Sequence, residues 1–216
     1  MKCNALSTGR PLLVFAHKGE AQTFLAHFKA SPMRLPSLDQ IELFECPQLF
    51  ILLTGEGRVG ACQKLSDVFD ALPRDISKVI NLGVAGALTP ELPLGTVVLV
   101  NNIYAFEGPV IQCSPAKCTS ARAPSIIANL FTSDKRILAA SDASELAKLA
   151  PLVDREAHGL AQTAQLYNLP FTSLKVISDL PWQADEAISD RKYQKVVQER
   201  AAEWSALLFE TFSRLY

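Results

Sequence analysis

The sequence predicts an α/β protein with a mixed, largely parallel central sheet that is flanked by helices. Short apolar runs bounded by turn residues alternate along the chain with segments whose apolar residues recur at helical spacing. Strands that alternate with helices in this way build a parallel sheet covered by helices. The chain has 216 residues and shows no internal repeat, low-complexity tract or linker. We therefore expect a single domain over residues 1–216.

The predicted strands are apolar and end at Gly, Pro or polar residues. They are Pro11–Ala16, Ile41–Cys46, Leu49–Leu53, Lys78–Leu82, Gly95–Val100 and Phe171–Ser178, with Ile126–Leu130 and Arg136–Ala139 as weaker candidates. The second and third are separated by a turn at Pro47, which favours a hairpin. The predicted helices each carry an apolar stripe. They are Gly19–Lys29, Val59–Leu72, Ser141–Leu149, Asp154–Tyr167 and Ser189–Leu215, and Glu107–Ser125 is the longest predicted loop.

Composition excludes several classes of function. Hydrophobic residues make up 49% of the chain, charged residues 20%, and the net charge is −1, as in a soluble globular protein. This balance gives no indication of binding to nucleic acid or to an anionic membrane. The longest apolar stretches, such as Leu12–Ala16, are too short to span a bilayer. The first ten residues lack an apolar core, so we expect no signal peptide and a cytoplasmic location. No spacing of His, Cys and Asp resembles a metal site.

Three carboxylates lie directly after a predicted strand or at the start of a predicted helix, and they could meet in one site. Asp179 follows an apolar strand, Glu156 lies at the entrance of a helix, and Glu20 follows the first strand. Strands of open α/β sheets bind ligands at their carboxyl ends. Three such acids could orient sugar hydroxyls, activate water and protonate a leaving group. The alternative is that these acids cap helices and face solvent.

Two glycine-rich turns lie between these acids. Gly55–Gly60 matches G-x-G-x-x-G, but it follows the third apolar run, and the next strand ends in Asn81-Leu82-Gly83, without the acid that would hold a ribose. We therefore do not predict a dinucleotide site. A glycine turn before a helix still exposes backbone N–H groups that favour an anionic ligand. The second turn, Gly83–Gly86, would allow the backbone to approach a flat ligand.

Together, in this order, these segments resemble the nucleoside phosphorylase/nucleosidase superfamily, and most of all its 5′-methylthioadenosine/S-adenosylhomocysteine nucleosidase-like members. The matching motifs run from Leu12 to the C-terminus. They are Leu12–Ala16 followed by His17-Lys-Gly-Glu20, then Thr54-Gly-Glu-Gly57, Gly83-Val-Ala-Gly86, Gly95-Thr96, Val153-Asp-Arg-Glu-Ala157 and Ile177-Ser-Asp179. The last two are the most specific.

The resemblance implies a nucleoside phosphorylase-like fold and a role for each acid. Glu20 would activate water, Glu156 would bind the ribose hydroxyls, and Asp179 would protonate the leaving purine. The nucleoside would also contact a further set of residues: Arg155, Val84, Ala85, Gly86 and Ser178. The implied enzyme needs no cofactor and no metal, binds a small nucleoside and forms a homodimer or higher homo-oligomer.

Three positions depart from the family pattern. Arg155 stands where the family has a methionine that contacts the ribose, and Val84 replaces a small polar residue. The segment that usually places an aromatic beside the base is Thr132–Arg136, which carries Lys135 and Arg136. For Arg155 two interpretations stay open: a salt bridge or solvent-facing side chain, or a side chain that reaches into the pocket and selects an anionic substrate.

Three functions remain possible at this point. The first is a nucleosidase that hydrolyses the N-glycosidic bond of a purine nucleoside or thionucleoside. The second is a phosphate-dependent phosphorylase of the same fold, with Lys18, Arg58 or Arg155 as the available cations. The third is a catalytically altered nucleoside-binding protein, for which the departures from the family pattern are the marker.

Overall fold

A computed structural model describes residues 9–114, 126–183, 195 and 198–216. The described strands are β1 (Arg10–Phe15), β2 (Ser31–Pro32), β3 (Glu42–Glu45), β4 (Phe50–Leu53), β5 (Ile76–Ala87), β6 (Val97–Tyr104), β7 (Ile111–Gln112), β8 (Ile127–Thr132), β9 (Leu152–Asp154) and β10 (Phe171–Asp179). The described helices are α1 (Lys18–Phe28), α2 (Arg58–Ala71), α3 (Ala140–Ala147), α4 (Ala157–Leu166) and α5 (Ala201–Leu215). The α/β class is confirmed. None of these helices is long and apolar enough to cross a membrane.

The strands form one mixed sheet, part of which closes on itself. One side runs in the order β2-β3-β4-β1-β5, with β1 parallel to both β4 and β5. The predicted hairpin is present as the antiparallel pair β3–β4. Beyond β5, the strands β9, β8, β6 and β10 follow in turn, and β10 pairs with β5 again. The carboxyl ends of β1, β5 and β10 therefore lie close together at one edge.

Side chains alternate between the two faces of the sheet along each strand. Because both faces carry apolar side chains, helices cover both of them. Leu12 and Val14 of β1 belong to a core shared with α2 and α4. Leu13 and Phe15 belong to a second core, which Phe24 of α1 shares with several residues of α5. Every one of these side chains is fully buried. Near-continuous apolar strands such as β1 and β4 are expected of a sheet covered on both sides.

Three predictions of local structure were wrong. Arg136–Ala139 is not a strand and instead leads into α3. Asp154 ends strand β9, so α4 begins only at Ala157. Strand β5 does not stop at Leu82 but continues through both glycines to Ala87, because Gly83–Gly86 is paired with β10. The last predicted helix, Ser189–Leu215, is present as α5 over Ala201–Leu215, and its first predicted residues, 189–194, lie outside the described part of the chain.

Candidate active site

A single cavity brings together the acids that the sequence singles out. Glu20, Glu156 and Asp179 all line it, and Arg155 and the segment Val84–Gly86 line it too. Ser178 does not line the cavity. Its hydroxyl instead donates a hydrogen bond of 2.6 Å to Asp179 Oδ1. The other predicted site residues are thus gathered at the carboxyl edge of β1, β5 and β10, whereas Ser178 contacts Asp179 rather than the cavity.

Backbone N–H groups from the connection after β1 and from β5 hold the Glu20 carboxylate. Ala16 and His17 donate to its Oε2 at 3.1 and 3.0 Å, and Val84 donates to its Oε1 at 3.1 Å. A carboxylate offers about four acceptor positions. These bonds use three of them and orient Glu20, which leaves a position on Oε1 for a further donor such as water.

Two glycines of β5 make room for two of the acids. A Cβ placed on Gly83 would lie 3.3 Å from Glu20 Oε1, and one placed on Gly86 would lie 2.9 Å from Asp179 Oδ2. The second distance is shorter than the distances that real Cβ atoms keep from neighbouring heavy atoms. These glycines were expected to let the backbone approach a flat ligand, whereas the structure places the protein's own carboxylates over them.

The glycine turn before α2 binds an anion that belongs to the protein. Gly57 N–H donates a hydrogen bond of 2.7 Å to Glu156 Oε1. Gly57 has φ 95°, a conformation that favours glycine. Exposed N–H groups in this turn were expected to favour an anionic ligand. The Gly57 N–H is used to position Glu156 at the cavity.

A buried lysine lies behind these carboxylates. Lys175 Nζ is 2.8 Å from Asp154 Oδ2, and the two side chains are only 2% and 1% exposed. Asp154 also accepts hydrogen bonds from the Thr132 hydroxyl at 2.7 Å and from Ala157 N–H at 3.0 Å. Asp154 therefore ties β8, β9, β10 and the start of α4 together, directly beside Glu156.

Burial and charge shift two ionisable groups in this cluster. Burial and the neighbouring carboxylate of Asp154 raise the pKa of Glu156 to about 7, although Lys175 and the Gly57 N–H act against this. Burial disfavours the charged form of Lys175, but the carboxylates of Asp154 and Glu156 outweigh it and raise the pKa of the lysine. The cluster thus keeps its lysine charged, while Glu156 titrates close to neutrality.

Sequence reasoning missed Lys175, although the sequence contains a signal for it. Lys175 interrupts an apolar run in a strand that was predicted to be buried. A buried lysine is almost always paired with an acid. The acid that pairs with Lys175 is Asp154, at the end of β9. His158, which was predicted to be a packing or surface residue, is buried and hydrogen-bonded to the Pro109 carbonyl at 2.9 Å.

At the cavity mouth, Glu56 is surrounded by cationic side chains. Its Oε1 lies 2.9 Å from His17 Nε2, and its Oε2 accepts hydrogen bonds from Arg136 and, at 2.8 Å, from Arg155. We call these four residues the mouth cluster: His17, Glu56, Arg136 and Arg155. All of them line the cavity. Arg155 therefore forms a salt bridge and also faces the pocket, so its two interpretations are compatible.

Comparison with known proteins agrees with this geometry. No family model matches the chain. A curated 5′-methylthioadenosine/S-adenosylhomocysteine nucleosidase from Chromohalobacter salexigens is 26% identical over 192 residues, covering 76% of this chain and 78% of the relative. The nucleosidase of the same name from Helicobacter pylori superposes with a TM-score of 0.79 at 16% identity, covering 97% of this chain and 100% of the other. Futalosine hydrolase from Helicobacter pylori gives 0.77 at 16% identity, covering 96% and 100%.

The sheet and its covering helices have the fold of the 5′-methylthioadenosine/S-adenosylhomocysteine nucleosidases and of futalosine hydrolase. In sequence the chain resembles curated 5′-methylthioadenosine/S-adenosylhomocysteine nucleosidases. Both similarities support the resemblance to the nucleoside phosphorylase/nucleosidase superfamily that the sequence motifs indicate.

Proposed function

We propose that this protein hydrolyses the N-glycosidic bond of a purine nucleoside or thionucleoside. The observation that carries the proposal is the convergence of Glu20, Glu156 and Asp179 on one cavity from three separate segments of the chain. The curated relatives, named as nucleosidases, support the same activity.

In this proposal Asp179 is the general acid. Cleavage of an N-glycosidic bond develops positive charge on the sugar, and a purine leaves readily once it is protonated. Asp179 lies at the end of β10, where it pairs with Gly86 of β5, and the Ser178 hydroxyl donates a hydrogen bond to its Oδ1.

Glu20 and Glu156 act on the sugar side of the bond. The acceptor position that the backbone leaves on Glu20 would take a proton from the attacking water. Glu156 is held through Gly57 by one oxygen, and its remaining acceptor positions suit the ribose hydroxyls. Because the backbone fixes both carboxylates before substrate binds, little reorganisation is needed during the reaction.

One panel of substrates tests this proposal. The protein is incubated with methylthioadenosine, S-adenosylhomocysteine, inosine and adenosine, with and without inorganic phosphate, and free base is measured. Release of base without phosphate supports hydrolysis. Turnover that requires phosphate would identify a phosphorylase, and binding without turnover would identify a nucleoside-binding protein. Either result would contradict the proposal.

We also propose a homodimer or higher homo-oligomer in the cytoplasm, as the superfamily resemblance implies. Val59 at the start of α2 and Phe106 after β6 are large apolar side chains that are 79% and 77% exposed, which supports association. Light scattering of the purified protein tests the assembly, and the mass of a single chain would contradict it.

A further inference from the structure

We propose that the two residues beside Gly57 are positioning residues, which fasten their turn to the loop after β8 and so hold the Gly57 N–H against Glu156. These two residues are Glu56 and Arg58, and the loop comprises residues 133–139. The inference deepens the proposed function, on which it rests for the role of Glu156 in binding the ribose. Neither side chain needs to touch the substrate for this role, because each acts through the backbone of Gly57.

The turn that carries Gly57 has little packing of its own to support it. Gly55 and Gly57 have φ values of 74° and 95°, which favour glycine. Among the described residues, a Cβ on Gly57 would meet nothing within 4 Å, and one on Gly55 would meet only Lys64 Nζ, at 3.8 Å. The Gly55 N–H donates to the Ala16 carbonyl at 3.0 Å, which fixes the first residue of the turn. The direction of the next N–H, which donates to Glu156, depends on the residues on either side of it.

Two ion pairs of opposite direction join the turn to the loop after β8. Glu56, before Gly57, accepts a hydrogen bond from Arg136. Arg58, after Gly57, donates to both carboxylate oxygens of Asp134, at 3.1 Å from Nε and 3.0 Å from Nη2. Bidentate pairs of this kind fix orientation as well as distance. Because there is one pair on each side, rotation of the turn would have to break at least one of them.

The pair made by Glu56 lies within the mouth cluster and is partly buried. Burial works against ionisation of Glu56, but hydrogen bonds from Arg136 and His17 lower its pKa, so it stays charged. Water and salt screen a partly buried pair less than an exposed one. Arg155 strengthens the connection, because it donates to Glu56 at 2.8 Å and to the Asp134 carbonyl at 3.2 Å.

The loop that receives these pairs is fixed to the same segment as Glu156. Ser133 is buried, and its N–H donates to the Asp154 carbonyl at 2.8 Å. The Asp154 carboxylate accepts a hydrogen bond from the N–H of Ala157, the residue directly after Glu156. The donor and the acceptor of the Gly57–Glu156 hydrogen bond are therefore held by one segment, the turn through its ion pairs and the acid through the chain itself.

The expected consequence is a change in the charge of Glu156. Asp154 of β9, Lys175 of β10 and Glu20 of α1 also face this carboxylate. Burial and Asp154 raise its pKa to about 7, whereas Lys175 and the Gly57 N–H oppose the rise. A hydrogen bond to a carboxylate favours its charged form, so a loosened Gly57 N–H should leave more Glu156 protonated at neutral pH. A protonated carboxyl accepts fewer hydrogen bonds from the ribose hydroxyls.

Nuclear magnetic resonance of the Gly57 amide tests the inference. The chain has only 10 glycines, so ¹⁵N-glycine labelling gives a simple spectrum in which this signal is followed across neutral pH. Arg58→Gln and Asp134→Asn remove the bidentate pair from either side. Neither residue is among the described residues that line the cavity. Arg214→Gln is the matched control, because it breaks an exposed arginine–glutamate pair near the end of α5.

We expect the wild-type Gly57 signal to titrate with Glu156, and Glu156→Gln to abolish this titration. In Arg58→Gln and in Asp134→Asn the midpoint should rise by about 0.5–1 pH unit, part of the one to two units that complete loss of a charge-assisted hydrogen bond would give. Exchange of the Gly57 amide with solvent should quicken by about three- to tenfold. The double variant should shift no further than either single variant. Arg214→Gln should behave as the wild type.

Calorimetric titration with 7-deazaadenosine connects the turn to ligand binding. The base of this ligand lacks N7 and therefore cannot be protonated there, so the ligand stays intact. At neutral pH, Arg58→Gln should weaken its affinity by about threefold. In a Glu156→Gln background the same change should have no effect on the pH dependence of binding, because no titration remains to be shifted.

Two results would overturn the inference. One is a Gly57 signal whose midpoint and exchange rate are unchanged in both Arg58→Gln and Asp134→Asn, which would show that the pair does not hold the turn. The other is an equal change in Arg214→Gln, which would show a general effect of charge. The Gly57 amide is measured without substrate, so neither result bears on hydrolysis, which the substrate panel decides separately.

Discussion

Two ion pairs in this site have the same length and very different surroundings. Lys175 Nζ lies 2.8 Å from Asp154 at the cavity floor, where both side chains are almost fully buried. Arg155 lies 2.8 Å from Glu56 at the mouth, where the side chains are 30% and 26% exposed. Water and salt screen the second pair but not the first. The two pairs have equal distances but different burial. The buried pair at the floor is therefore expected to be fixed, and the partly exposed pair at the mouth is expected to rearrange more easily.

The largest effect is expected from breaking the floor pair. Lys175→Met keeps the length of the side chain but leaves the Asp154 carboxylate buried without its cation. We expect a loss of about 3–5 kcal/mol in the free energy of unfolding, measured by urea denaturation at neutral pH. The double variant with Asp154→Asn should recover part of that loss. A loss below about 1 kcal/mol would contradict a structural role for the pair.

A second substitution should displace the Asp179 carboxylate without removing it. The Cβ of Gly86→Ala would collide with Asp179 Oδ2, so turnover should fall by about 10²-fold through misplacement of the acid. Gly60→Ala is the matched control, because a Cβ there meets nothing within 4 Å. Steady-state rates of base release compare the two. Equal rates in both variants would mean that the position of Asp179 does not limit the reaction.

The third prediction concerns pH and the stability of the floor. The pKa of Glu156 is raised from an ordinary value of 4.5 to about 7, so the folded protein binds more protons than the unfolded chain between these values. Stability contributed by protonated Glu156 is complete below pH 4.5 and is lost as the pH rises to about 7.

Replacing Glu156 with Gln removes this titration. Relative to the wild type, Glu156→Gln should therefore gain about 2–3 kcal/mol between pH 4.5 and pH 8. Unfolding free energies measured across that range for both proteins test it. Parallel pH profiles would show that Glu156 has an ordinary pKa in the folded state.

The smallest effect is expected at the mouth. Arg155→Met also replaces a cation by an apolar side chain, but the pair that it breaks is partly exposed. The free energy of unfolding should therefore change by less than about 1 kcal/mol. The contribution of the Arg155–Glu56 pair to the stability of the wild type should also decrease as salt is added. Urea denaturation of Lys175→Met and Arg155→Met at low and high salt compares the two pairs directly. Equal losses in the free energy of unfolding would show that the floor pair and the mouth pair contribute alike to stability.

The sequence was sufficient where the information is local. The apolar runs that became β1 and β4 are continuous, and the acids that follow or end predicted strands or open a predicted helix could be assigned to one sheet edge from the α/β pattern alone. Glu20, Glu156 and Asp179 could therefore be predicted to converge.

What the sequence did not reveal depends on contacts distant in the chain. Arg155 was weighed against neighbouring acids, yet its partner is Glu56, 99 positions away. Strand β5 was predicted to end at Leu82, directly before Gly83, and glycine weakens a strand interior. It continues because pairing with β10 and the space required by two carboxylates favour glycine there. Such outcomes follow from tertiary packing, which local patterns do not encode.

The central claim is that the cavity floor supplies the acid for glycosidic cleavage, and Asp179→Asn tests it most directly. The change keeps the shape of the side chain and removes its proton donor. Turnover of the best substrate in the panel should fall by about 10²-fold or more, while calorimetric affinity for 7-deazaadenosine stays close to that of the wild type. Wild-type turnover in Asp179→Asn would contradict the account.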